Sequence, residues 1–265
     1  MILPSASPST WLLALVTAAA YAIGAAVASR SQASRSHLAM APAWALHAGA
    51  IGWSQLGGAP HFGFAAALSM TAWLVLTIYA LERELFPQMR TRWALGALGG
   101  VAVLLAALFP GRPLQATASP WMQLHLTLGI ACYGLFAAAV AHAWLMSRAE
   151  RQMRQATQLH SSLPLLTLER LTFRFVTAGF VLLTATLAAG MLFSEALYGR
   201  AWRWDHKAVF SVLSWLTFAA LLLGRKRFGW RGRSAVRVLY TGAALLLLAY
   251  VGSRFALEVV LGRSV

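Results

Sequence analysis

Long apolar runs separated by short polar connections make up nearly the whole chain. They lie at roughly 9–29, 38–56, 63–82, 93–110, 122–147, 170–193, 206–224 and 236–258, and runs of about 20 residues are the mark of membrane-spanning helices. Lipid offers a backbone no hydrogen-bond partners, so each run must satisfy its own amides and carbonyls as a helix. The pattern predicts an all-α, polytopic membrane helix bundle of about eight transmembrane helices. No repeat, low-complexity tract or long soluble loop interrupts it, so residues 1–265 read as a single integral membrane domain. The longest polar segment, 147–170, is expected to extend the fifth helix and then lie along the membrane interface.

Composition supports this class. The chain is 59% hydrophobic and 11% charged, with a mean hydropathy of +0.65, whereas soluble domains carry roughly a quarter charged residues. A net charge of +15 would point to nucleic acid in a soluble protein. Here the cations sit between apolar runs, which fits membrane topology and anionic lipid headgroups and excludes a nucleic-acid partner. Most of the 22 basic residues fall in alternate connections: those of Arg30–Arg35, Arg83–Arg92, Arg148–Arg174 and Arg225–Arg237. Placing these loops in the cytoplasm puts both termini outside. The start, "MILPSASPST", has no Lys or Arg and lacks the basic n-region of a cleaved signal, so it reads as the approach to a true first span.

The motif content narrows the chemistry. No phosphate-binding loop, dinucleotide fingerprint or metalloprotease helix occurs. The single cysteine, Cys132, excludes an internal disulfide, a CxxC pair or a thiolate zinc site. Nothing in the Asp, His and Ser spacing forms a triad, and the chain is expected not to be an enzyme. Seven histidines are present. His47 lies in mid-run, where a polar side chain is either functional or hydrogen-bonded to a neighbouring helix. His125 and His206 open the fifth and seventh runs on the expected outer side, where each is a ligand or an ordinary interfacial residue. One or two imidazoles can hold a transition metal or a haem iron, while acidic residues are too few on that side for a zinc or calcium cage. Imidazoles, aromatic walls (Trp53, Trp121, Tyr133, Trp202, Trp204) and cations (Arg203, Lys207, Arg254) together suit a flat aromatic ligand with carboxylates. The alternatives are an interfacial tryptophan belt and a helical Arg254–Glu258 pair.

The segment 198–215, "YGRAWRWDHKAVFSVLSW", carries a more specific signal. Its Gly199, Trp202, Trp204, Asp205 and Lys207 resemble a reduced form of the tryptophan-rich WWD signature of the cytochrome c assembly family. Tyr198, His206 and Ala208 stand where the full signature has Trp, Pro and Glu. The stretches "LHLTLGIACYG", "SSLPLLTLERLTFRF", "FGWRGRSAVR" and "LLAYVGSRFALE" resemble the shorter YpjD/HemX-like branch. The resemblance implies a multi-pass protein of the bacterial inner membrane that handles haem at its outer face. It makes His125 the external ligand histidine, His47 a membrane-embedded one, and Trp202 to Lys207 the haem-edge segment, with His206 standing in for a second external histidine.

The expected function is therefore non-enzymatic haem b binding in cytochrome c assembly. Axial ligation falls to His125 with His47 or His206, and Trp202, Trp204, Lys207 and Arg254 complete the site. Haem, membrane lipid and other biogenesis or membrane proteins are the expected partners. The alternative is a membrane scaffold or regulator that engages a haem-pathway or ion-transport partner through its basic cytoplasmic loops. A third reading, a transporter with a helix broken at "GALGG" (96–100), has less to carry it, because glycine is common at ordinary membrane helix contacts.

Overall fold

A computed structural model of the chain describes residues 7–30, 39–56, 61–85, 93–113, 120–154, 165–194, 204–256 and 259. The elements are α1 (Pro8–Arg30), α2 (Ala41–Leu56), β1 (His61–Phe62), α3 (Phe64–Leu85), α4 (Trp93–Leu108), β2 (Arg112–Pro113), α5 (Pro120–Arg154), α6 (Leu165–Leu192), α7 (His206–Phe228) and α8 (Gly232–Leu247). The chain continues from α8 through a π-helical turn, Leu248–Gly252, into a last helical turn, α9 (Ser253–Phe255).

A helix occupies most of the described part of each of the eight expected runs. Among the described residues six helices are long and apolar enough to cross a membrane: α1, α3, α5, α6, α7, and α8 with its continuation to Phe255. α2 and α4 each have 16 residues, about 24 Å against a hydrocarbon layer of about 30 Å. α5 extends past its apolar run to Arg154, giving 35 residues. α6 starts at Leu165, so "LLTLE", expected along the interface, is instead the first turn of a spanning helix. Buried Leu168 explains this, since it continues the seam of Thr172, Val176, Gly179 and Leu183 at helical spacing.

The chain divides into two compact units, residues 1–117 with 257–265, and residues 118–256. In the N-terminal unit α1 packs on α2, α2 on α3, α3 on α4, and α4 back on α1. Glycine permits the last contact: a Cβ at Gly99 would lie 2.6 Å from Tyr21 Cζ, and one at Gly96 2.6 Å from Met40 Cε. "GALGG" thus belongs to an unbroken helix with a close neighbour, the ordinary use of small residues between membrane helices. Buried Tyr21, His47 and Ser69 then join three helices. The Tyr21 hydroxyl lies 3.0 Å from His47 Nδ1, and His47 Nε2 lies 2.9 Å from the Ser69 hydroxyl. Trp44 and Trp73 stack beside this chain at 5.2 Å, and Trp73 Nε1 donates to the Trp44 carbonyl. A two-residue antiparallel ladder, His61 opposite Pro113 and Phe62 opposite Arg112, joins the segments before α3 and after α4. Gly111, at φ 80°, lets the second segment approach: a Cβ there would meet the Phe62 carbonyl carbon at 2.6 Å.

The C-terminal unit is a four-helix ring in which α5 packs on α6, α6 on α7, α7 on α8, and α8 on α5. Across one diagonal Phe136 of α5 stacks on Phe218 of α7, centroids 3.8 Å apart and planes within 8°. On the other diagonal stand glycines. A Cβ at Gly179 of α6 would meet the Phe136 ring at 3.1 Å, and one at Gly242 of α8 would meet Phe218 at 2.9 Å. The Ser214 hydroxyl donates to the Gly242 carbonyl at 2.9 Å. At the basic end, Glu169 accepts from Arg225 at 2.8 Å and lies 3.7 Å from Arg231, while the Arg225 guanidinium sits 3.5 Å above the Phe173 ring. The α7–α8 turn closes by a Schellman arrangement. Gly229 sits in the left-handed region at φ 64°, and the Trp230 amide reaches back to the Gly224 carbonyl.

Two measurements test this packing. Gly99→Val should destabilise by about 1–3 kcal/mol through overpacking on the Tyr21 ring, while Gly49→Ala, with open space beside it, should not lower the thermal midpoint in detergent. An unchanged midpoint for Gly99→Val would contradict the close α1–α4 contact. Tyr21→Phe and Ser69→Ala should each cost about 1 kcal/mol, within the range of interhelical bonds in membranes. The double variant should cost less than the two together, because both bonds share one imidazole.

Candidate functional site

Paired contacts set the register of the C-terminal unit and show which residues share an end. The Cys132 thiol of α5 faces the Gly179 carbonyl of α6 at 3.5 Å. Nearer the start of α5, the half-buried His125 ring faces the Thr186 backbone. Beyond it Trp121 stacks on Phe193 at 4.5 Å, planes within 9°. This antiparallel register brings the start of α5 to the end of α6. The alternation of helix direction puts the start of α7 and the end of α8 there as well.

Asp205 begins α7 as its N-cap: backbone extended at φ −86° and ψ 171°, side chain accepting from the Ala208 amide at 2.9 Å. The cap satisfies an amide at the helix start and sets the direction from which Trp204, His206 and Lys207 project. Trp204 is 66% exposed, His206 is exposed on the first turn, and Lys207 is half-buried. Arg254 lies at the corresponding end of the last helix, half-buried, its guanidinium 6.0 Å from the Tyr250 ring centroid. Predicted residues Trp202 and Arg203 lie outside the described residues, as do Tyr198, Gly199 and Glu258.

The predicted residues therefore fall into two groups. His125, Trp204, His206, Lys207 and Arg254 belong to one end of the C-terminal unit. His47 belongs to the N-terminal unit, where both ring nitrogens face hydroxyls. A metal bond at His47 would displace Tyr21 or Ser69. Among the described residues no three His, Cys, Asp or Glu side chains cluster as a metal-ion site. The His125 end instead offers single imidazoles, flat aromatic surfaces and cations. That donor set fits a haem, whose iron needs only one or two protein ligands and whose edge carries carboxylates.

Sequence reasoning missed the partners that organise these residues. Tyr21 could have been flagged as a phenol in mid-run, since a buried tyrosine hydroxyl needs a partner. Tyr133, read as an aromatic wall, uses its hydroxyl instead: it donates to the Leu246 carbonyl of α8.

Comparison with known proteins finds relatives of this sequence. The chain is 32% identical over 231 residues to an uncharacterised 28.8 kDa protein of Azospirillum brasilense, covering 83% of this chain and 82% of that one. It is 30% identical over 163 residues to the inner membrane protein YpjD of Escherichia coli K12, covering 60% and 61%. A cytochrome c biogenesis protein CcsA from Synechococcus is 25% identical over 260 residues, covering 86% of each chain. No solved structure matches. The sequence profile described as cytochrome C assembly protein matches residues 34–261, and the chain belongs to that family.

Proposed function

We propose that this chain is a multi-pass protein of the bacterial inner membrane that acts in cytochrome c assembly by holding haem b at the His125 end of its C-terminal unit. The observation that carries the reading is that His125, Trp204, His206, Lys207 and Arg254 lie at the same end of one four-helix ring, on three of its helices. Family membership and the CcsA relatives support the assembly role.

Haem is cargo in this reading, and the chain's own groups do the holding. His125, whose ring bonds the Thr186 backbone, would be the residue that ligates the iron. His206 projects from a capped helix start and serves as the second ligand where one is used. His47 is the weaker partner, because ligation there breaks a bond that joins α2 to α1 or α3. Trp204 offers its exposed face to the macrocycle, and Lys207 and Arg254 neutralise the carboxylates. No step makes or breaks a covalent bond, so the role is non-enzymatic.

A second reading has its own support. Lys226, Arg227, Arg231 and Arg233 are exposed around the α7–α8 turn, and Glu169 ties the end of α7 beside that turn to α6 through Arg225. Such a surface suits a scaffold that docks an acidic partner.

One measurement separates them: the absorption spectrum of detergent-purified protein during haem titration, wild type beside His47→Ala, His125→Ala and His206→Ala. The haem reading requires a Soret band that His125→Ala abolishes or shifts, that His206→Ala weakens, and that His47→Ala leaves in position. Absence of any band in the wild type would overturn it. The scaffold reading requires instead that cells tolerate His125→Ala and fail when Lys226, Arg227, Arg231 and Arg233 are neutralised together.

A further inference from the structure

Ala256 and Val259 are π-helical, and the last spanning segment departs from α-geometry before them as well. Over Leu248–Gly252 it widens into a π-helical turn, and the Ser253 amide reaches back five residues to the Leu248 carbonyl. A π-turn inserts about one extra residue without ending the helix, and so rotates everything beyond it by about 100°. It also displaces carbonyls from their usual amide partners, which in a membrane must find other donors. Side chains supply them here. The Tyr133 hydroxyl of α5 donates to the Leu246 carbonyl, and the Ser253 hydroxyl lies 2.9 Å from the Ala249 carbonyl and 3.0 Å from that of Tyr250.

Arg254 is the next residue. From the Tyr133–Leu246 bond, Arg254 lies eight residues along the last helix (246 to 254) and His125 eight residues along α5 (133 to 125), both toward the same end. At 1.5 Å per residue each is about 12 Å from that bond, so the two share a level to within about one turn. The guanidinium leans on the ring of Tyr250, itself part of the π-turn.

We propose that the π-turn is a positioning device: Tyr133 and Ser253 hold it open so that Arg254 presents its cation beside His125 to a ligand carboxylate. The inference rests on the haem reading for the identity of that ligand. Tyr133 and Ser253 are positioning residues that never touch the ligand. Without their hydroxyls the displaced carbonyls favour return to α-geometry, and position 254 rotates by about 100° from the direction it now takes.

The test compares haem with haem dimethyl ester, in which both carboxylates are blocked, by titration of the purified full chain. Wild type should bind the free acid about tenfold more tightly than the ester, the difference a charge-assisted contact makes. Tyr133→Phe, Ser253→Ala and Arg254→Gln should each erase most of that preference while keeping ester affinity, and Arg254→Lys should restore part of it. If Arg254→Gln erases the preference and both hydroxyl variants keep it, the positioning role is overturned. If Arg254→Gln keeps it, Arg254 is not the carboxylate contact. A wild type that binds neither form sinks the haem reading, and positioning is then decided without ligand. For that, Arg254→Cys is made in a Cys132→Ala background and its reaction rate with N-ethylmaleimide is measured with and without Tyr133→Phe or Ser253→Ala. A rate that changes several-fold upholds the device, and an unchanged rate overturns it.

Discussion

Inside a bilayer no water is available to a stray donor or acceptor, and the hydroxyls and the buried imidazole described in these helices are arranged around that fact. Hydroxyls within single helices return to the carbonyl one turn back, as Thr17 does to Leu13, Thr172 to Leu168 and Thr184 to Phe180. Other polar groups tie one helix to another. Tyr21, His47 and Ser69 join α1, α2 and α3, Ser214 joins α7 to α8, and Tyr133 joins α5 to the end of α8. Dispersion alone would leave apolar helices free to slide in lipid. These few bonds give them register.

Close approach is the second requirement, and it comes from absent side chains. Gly96 and Gly99 admit α1 to α4, and Gly179 and Gly242 admit two phenyl rings to the middle of the C-terminal ring. Where the backbones are near, directional bonds become short enough to matter, so the glycines and the hydroxyl ties act together. The candidate site benefits at one remove. His125 and Arg254 owe their common level to contacts made two turns deeper, at Cys132–Gly179 and Tyr133–Leu246.

Much of the helical architecture was legible because apolar length needs no partner to be read. The runs at 9–29, 63–82 and 206–224 became α1, α3 and α7 with small changes at their ends. The reduced WWD-like segment led to the family in the same direct way. The cap at Asp205 was also readable, since Asp before a helix start has a local reason. What stayed hidden depends on pairing across space. "LLLLAYVGSRFALE" looks uninterrupted, because a π-turn leaves no change in hydropathy and depends on a tyrosine more than a hundred residues earlier. His47 could be seen as anomalous but not as already bonded on both sides. The short ladder of His61–Phe62 with Arg112–Pro113 involves two residues on each strand, too few for any alternation to register.

The aromatic pair at the centre of the C-terminal ring has a consequence for how such a chain can vary over time. Phe136 and Phe218 lie between Gly179 and Gly242 like two plates between two bare walls, so ring thickness sets how closely α6 and α8 approach. A larger residue at either glycine has room only if the facing ring shrinks, and a lost ring leaves a gap that only a larger neighbour fills. These four positions form a gauge rather than four independent contacts. Descendants of this sequence should change them as a set, through paired replacements in which one diagonal gives up the volume that the other gains.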